Sequence, residues 1–314
     1  MQTGQAQHYD CVIVGGGPAG LSAALNLARV RRRVLLIDGN RPRNSATMTT
    51  HGFLTRDGVT PLQLRHLGWD ELARYPEVER QLGFVERVEP GADAAFRVES
   101  SPVNRSSARS VTADSVLIAT GLKESLPAFP SLRVFYGICL FSCVECDGYE
   151  QSEVPLVLIG DTDDVASRAL LIARFSRDLT VFTNAAPVIA PAEEALLAGH
   201  SVQVERREIA DVIGGGENWA MSGVLLADGT IIPAVGGFVR PHWRAPLEFA
   251  ATLGLETDGD GLLMVDADGR TSRSGVYAAG DTTSPGPQQL IIAAGAGARA
   301  ATSINRDLTG IPPR

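Results

Sequence analysis

Two cysteines three residues apart, Cys143 and Cys146 in the stretch FSCVECDGYE, are the residues whose types and spacing bear most directly on chemistry. A Cys-x-x-Cys pair can close into a disulfide and open again, taking up or giving off two electrons, and only its thiolate form attacks. Asp147 follows the pair at once. His51 is a candidate for proton transfer, since an imidazole titrates near neutrality. The competing use of such a pair is half of a zinc site, which needs four ligands. Cys139 supplies at most a third, and neither a second cysteine pair nor paired histidines completes the set, so no metal is expected. Cys11 lies inside an apolar run and reads as a small buried hydrophobe, and Cys139 as a packed residue.

These side chains need a scaffold. Residues 9–38, YDCVIVGGGPAGLSAALNLARVRRRVLLID, read as an apolar strand, a glycine turn, a helix with one small-residue face and a second apolar strand ending in Asp38. Gly15, Gly17 and Gly20 stand in Gly-x-Gly-x-x-Gly spacing: the first permits a tight turn, the second lets backbone touch a pyrophosphate, and the third lets the helix pack on the strand. The helix N-terminus then faces the phosphates, and Asp38 is placed to accept a ribose hydroxyl hydrogen bond. A lone glycine fingerprint says little. With a strand before it and a helix after it, this one predicts a dinucleotide site.

Laid on itself, the sequence repeats. Residues 157–183, VLIGDTDDVASRALLIARFSRDLTVFT, match residues 12–38 without a gap, Gly160 falling on Gly15 and Ala169 on Ala24. The strand and helix pattern is kept while the ligand residues change: Thr162 replaces Gly17, Val165 replaces Gly20 and Thr183 replaces Asp38. Asp161, Asp163 and Asp164 in this turn are expected to cap the helix N-terminus themselves and to repel a pyrophosphate. Each carboxylate about 4 Å from a phosphate oxygen would cost roughly 1 kcal/mol in water and about 4 at a partly screened surface. No arginine follows the second strand, Phe182-Thr183-Asn184, to hold a 2′-phosphate.

The chain's 314 residues suit two compact units, with 44% hydrophobic and 20% charged residues and 33 glycines among them, which excludes disorder and fibrous structure. A net charge of −8 is the wrong sign for holding nucleic acid. No apolar run reaches the roughly 18–20 residues of a membrane helix, and MQTGQAQHYD lacks signal-peptide features, so the expected address is the cytoplasm. Lys123 is the sole lysine, which sets lysine chemistry aside. Between and after the two units come a polar stretch at 97–112, a strand at 115–121, a meander with turns at Gly214–Gly216 and Asp228-Gly229, the segment SGVYAAGD and a small-residue helix from Leu290. The glycines of that helix read as close packing. The order implies an α/β fold of two Rossmann-like dinucleotide-binding domains: a discontinuous first domain, residues 1–121 and 244–314, with the second, 122–243, inserted in it and carrying the cysteine pair.

GGGPAG, the IATG strand, Cys-x-x-Cys-Asp, YAAGD and QQLIIAAGAGARAA together give a chain that resembles the low-molecular-weight thioredoxin reductases over nearly its whole length. The resemblance implies FAD, a homodimer, and a thioredoxin-like protein or a small dithiol or disulfide as partner. By position it implies that Cys146 faces the flavin, Cys143 exchanges with substrate and Asp147 is the acid/base. It puts Gly15, Gly17, Pro18, Ala19 and Gly20 at the pyrophosphate, Asp38, Gly39 and Asn44 along the nucleotide, and Ala119, Thr120 and Gly121 at the crossover. Gly280 and Asp281 fall at the ribityl chain, and Gln288, Gln289 and Leu290 at the flavin's pyrimidine edge.

The departures matter equally. In the second unit GDTDDV stands where the family carries Gly-x-Gly-x-x-Ala, and FTNAA where it carries a basic run, so NADPH is not the expected donor. The loop RPRNSATMTTHGFLTRDG with His51 resembles a side branch that includes oxygen-dependent dithiol oxidases closing disulfides in small molecules. The leading expectation is a thiol-disulfide oxidoreductase fed by a ferredoxin-like donor or by a dithiol. The alternatives are a dithiol oxidase with oxygen as acceptor and a flavin redox sensor without turnover.

Overall fold

The computed structural model describes residues 7–91, 95–103, 108–215, 220–284 and 286–311. In chain order its elements are β1 (His8–Val14), α1 (Pro18–Arg29), β2 (Val34–Asp38), α2 (Pro61–Leu72), β3 (Val78–Pro90), β4 (Phe96–Pro102), β5 (Arg109–Ile118) and β6 (Lys123–Ser125). There follow α3 (Leu132–Phe135), β7 (Leu140–Phe141), α4 (Val144–Asp147), β8 (Leu156–Ile159), α5 (Val165–Ile172), β9 (Leu179–Phe182), α6 (Pro191–Gly199) and β10 (Val202–Glu205). The chain ends with β11 (Ile209–Gly215), β12 (Ala220–Leu226), β13 (Ile231–Pro233), β14 (Gly236–Val239), β15 (His242–Arg244), β16 (Val276–Ala278) and α7 (Leu290–Leu308).

Two separate sheets result, the first mixed around a parallel centre and the second wholly parallel. In the first, β1 lies between β2 and β5, with Cys11 opposite Val34 and Ser115, and β16 continues the sheet beyond β5. Alternation along β1 sends Cys11 and Ile13 toward α1 and α7, and Val12 and Val14 toward the layer built by β3, β4 and β5. That layer is where the polar stretch at 97–112 goes. Phe96, Val98 and Ser100 point inward while Arg97 faces solvent, so the first part of the polar stretch is a strand with one wet face. Residues 104–107 within it lie outside the described residues.

The second sheet runs β10-β9-β8-β14-β7, with β8 in the position of β1. One face is covered by α5 and α6 through Val165, Ala169 and Leu197, the other by the antiparallel β11-β12-β13 through Val212 and Val224. The Asp228-Gly229 turn joins β12 to β13 as expected, while the tip at 216–219 lies outside the described residues. An antiparallel ribbon of β6 and β15, Lys123 opposite Arg244, lies between the two sheets in the chain order.

In the C-terminal helix the small residues have the expected use: a Cβ on Gly297 would stand 2.0 Å from the Ala19 carbonyl oxygen, so α7 packs directly on α1. No helix among the described residues is long and apolar enough to cross a membrane.

Candidate active site

Beyond the carboxyl ends of β1 and β5 a cleft opens at the N-terminus of α1. Gly15 makes the turn at φ +111°, its N–H donating to the Ile37 carbonyl at 2.8 Å. No side chain caps α1 and no acidic residue stands in its first turn, so the N–H donors there are unspent and the positive end of the helix dipole is bare. A Cβ on Gly17 would meet nothing within 4 Å, and Thr120 Oγ1 is buried without a hydrogen-bond partner among the described residues. Open backbone, unspent donors and an orphaned hydroxyl suit an anionic diphosphate.

Of the residues expected at a nucleotide, Gly15, Gly17, Pro18, Ala19, Asp38, Asn44, Ala119, Thr120, Gly121, Gly280, Asp281 and Leu290 line this cleft. Gly20 and Gly39 do not. Gly20 is buried beneath the turn, where a Cβ would come within 1.9 Å of the Gly15 carbonyl oxygen, and Gly39 packs against the Phe84 ring. Gln288 and Gln289 line the adjoining thiol pocket, Gln289 preceding the first turn of α7. Three arginines that sequence reasoning missed, Arg41, Arg43 and Arg65, also line the cleft. The RPRNS run contains two of them, but nothing in its pattern shows which way they turn.

Cys143 and Cys146 are joined as a disulfide at the start of α4. They open onto a pocket with His51 and Asp147, and this pocket shares Arg43, Asn44, Asp281 and Leu290 with the cleft. Asp147 is 8% exposed, and that burial pushes its carboxyl up to about 7, with Glu150 adding to the rise and His51 opposing it. His51 stands between carboxylates, Nδ1 3.5 Å from Asp57 and Nε2 3.7 Å from Glu150. Cys139 is half-buried and free, its thiol raised by burial, and Cys11 is fully buried and pushed up to about 12.

A polar hub ties the cleft to the thiol pocket. The Arg43 guanidinium donates to Asp281 at 2.9 Å and to Glu124 at 3.1 Å, so the aspartate expected at the ribityl chain already holds one partner. Glu124 also accepts from the Tyr136 hydroxyl, Ser142 Oγ and Trp243 Nε1. Ser142 adjoins Cys143, so the hub reaches the disulfide itself.

The second turn differs from expectation in one respect. Asp164 occupies the N-cap position of α5 but makes no capping hydrogen bond. Its carboxylate accepts instead from Arg168 Nε at 2.7 Å, from Arg240 Nε at 2.8 Å and from Thr162 Oγ1 at 2.6 Å, while Asp161 pairs with His242 at 3.1 Å. Two guanidinium groups offset the charge that was expected to repel a phosphate, and ion pairing wins over capping because each arginine brings a full charge. The two turns also differ in bulk: Val165 is fully buried where Gly20 stands in the first unit, and the Arg240 side chain lies over Gly160.

Comparison with known proteins agrees with this architecture. The family model for pyridine nucleotide-disulphide oxidoreductases matches residues 9–297. The crystal structure of TrxB from Bacillus anthracis superposes with a TM-score of 0.87 at 35% identity, covering 96% of this chain and 99% of that one. The thioredoxin reductase tcpT of Claviceps purpurea is 26% identical over 313 residues, 96% of each chain. A probable thioredoxin reductase of Arthroderma benhamiae is 33% identical over 181 residues, 58% of this chain, and the match spans 45% of that relative's length.

Proposed function

The chain belongs to the pyridine nucleotide-disulphide oxidoreductase family and is a thioredoxin-reductase-like FAD oxidoreductase; from that premise we propose that Cys143 and Cys146 carry two electrons between FAD in the β1–α1 cleft and a thioredoxin-like protein or small disulfide, with NADPH not the donor. The observation that carries this reading is the continuity of cleft and thiol pocket through Arg43, Asn44, Asp281 and Leu290. FAD supplies two-electron acceptance and return when bound. The bare first turn of α1 would hold its pyrophosphate and Thr120 Oγ1 would gain the partner it lacks, while the N-terminus of the 19-residue α7 turns its positive end to the thiol pocket.

In the reduced chain the Cys143 thiolate attacks the partner disulfide, forming a mixed disulfide and releasing one partner thiolate, which takes a proton from Asp147. The Asp147 carboxylate takes the proton of the Cys146 thiol, the Cys146 thiolate attacks Cys143 Sγ, closing the Cys143–Cys146 bond, and the second partner sulfur leaves with that proton returned from Asp147. The partner gains two electrons and two protons. An acid near 7 suits both halves of this exchange, because it gives up and regains a proton at small cost at neutral pH.

The choice of donor is supported by the altered second turn, where Thr162 and Val165 replace two glycines and the Arg240 side chain lies against Gly160. Electrons then come from a ferredoxin-like protein or flow back from a dithiol. Anaerobic mixing with NADPH and then NADH tests this through the flavin absorbance. We expect no bleaching by either, bleaching by a small dithiol, and loss of the dithiol response in Cys143→Ser. Rapid bleaching by a nicotinamide nucleotide overturns the assignment of the donor.

A further inference from the structure

We infer that Arg65 is a positioning residue for FAD, holding Asp38 as the acceptor for the adenosine ribose hydroxyls; the inference rests on the placing of FAD in the β1–α1 cleft. Asp38 ends β2, and Arg65 reaches it from the first half of α2. Arg65 Nη2 lies 2.5 Å from Asp38 Oδ2, its Nη1 lies 2.8 Å from Asn40 Oδ1, and the Asn40 N–H donates to Asp38 Oδ1 at 3.1 Å. Both carboxylate oxygens are thus fixed in orientation by one donor each, and each keeps a lone pair for a further donor. Asp38 and Arg65 both line the cleft, so a ribose hydroxyl can supply that donor.

The pair is 6% and 8% exposed. Burying two charges costs about what their attraction returns, so stability alone does not account for an ion pair at this depth. A second observation points to a ligand. Arg65 Nε is buried with no hydrogen-bond partner among the described residues, which leaves the guanidinium with an unspent donor on a residue lining the cleft. The pair makes chemical sense as a preformed receptor: Arg65 compensates the charge of Asp38 and sets its rotamer before the nucleotide arrives, so binding does not have to order it.

The test uses the full-length chain stripped of flavin and titrated with FAD, and separately with FMN, which lacks the adenosine half, following flavin fluorescence. We expect Arg65→Gln to weaken FAD by about 10- to 100-fold, as Asp38→Asn does, with FMN unchanged in both. Arg65→Lys should recover part of the loss, and D38N/R65Q should be no weaker than either single variant, since the two residues act together. Arg65→Lys and D38N/R65Q leave no lone buried charge, so they serve if Arg65→Gln does not fold. Wild-type FAD affinity in Arg65→Lys and Arg65→Gln alongside a loss in Asp38→Asn overturns the inference, as does an equal loss of FMN and FAD. Wild-type FAD affinity in Asp38→Asn overturns the placing of FAD in this cleft, and the inference with it.

Discussion

Both units hold an aspartate bound by arginine, and the position of that pair separates them. In the first unit Asp38 and Arg65 meet at the end of β2, beside the cleft, and the first turn of α1 stays bare. In the second unit Asp164 stands at the start of α5 and draws Arg168 and Arg240 across the turn. The surrounding frames match: β1 and β8 each lie between two parallel neighbours, and the Gly15 and Gly160 N–H groups donate to Ile37 and Phe182 at 2.8 and 3.1 Å. Apolar strand residues keep the frame, whereas the turn residues differ between the two units. The frame can stay constant while the turn changes because the two depend on different residues.

Copying the second turn into the first is the strongest way to break the comparison. Gly20→Val places a side chain where a Cβ alone would stand 1.9 Å from the Gly15 carbonyl oxygen. We expect the variant to purify without bound FAD, a loss of at least about 100-fold in affinity, read from the flavin-to-protein absorbance ratio. A yellow variant would show that the turn does not control binding.

Next in size is Asp147, in the pocket that adjoins the first cleft. Its folded pKa of about 7 lies above the unfolded value, so between about pH 4 and pH 7 the folded chain keeps a proton that the unfolded chain releases. Stability therefore falls as pH rises through that window and is level above it, by at most about 4 kcal/mol. Asp147→Asn should flatten the dependence of Tm on pH in calorimetry. It should also slow exchange with a small disulfide by about 100-fold near neutral pH. An unchanged slope in the variant would place the titrating group elsewhere.

Clearing the second turn sharpens the contrast from the other side. T162G/V165G/R240A gives it the two glycines of the first turn and removes the side chain beside Gly160, and calorimetric titration with ADP should show at least about a tenfold gain over the wild-type chain. No gain would mean that the turn is not what blocks a nucleotide. The smallest effect is expected where the frames are interchangeable. Cys11 aligns with Leu156, both are buried in the central strand of their sheet, and Cys11→Val should change stability by less than about 1.5 kcal/mol in denaturant unfolding. A larger loss would give Cys11 a role beyond packing.

Local pattern made much of this legible. The glycine spacing, the apolar strands, the small-residue helix and the Cys-x-x-Cys are features of neighbouring residues, and sequence shows neighbours directly. The stretch at 97–112 gave no element on polarity alone because a strand with one wet face carries polar residues at every other position. The carboxylates of the second turn misled for a different reason. Capping is a local option, whereas Asp164 took an arginine 76 residues away.

Sequence alone determined the order of the elements, the bare first turn, the altered second turn and the presence of a thiol pair with an acid beside it, because each depends on residues adjacent in the chain. Tertiary structure decided which charges meet. Arg43 reaches Asp281 across 238 residues, Glu124 gathers Tyr136, Ser142 and Trp243, and Arg65 reaches Asp38 from a separate helix. It also decided that burial, and not its place in the motif, brings Asp147 to about 7. The reason is physical: pairing and desolvation depend on distance in space, and a linear sequence records only separation along the chain.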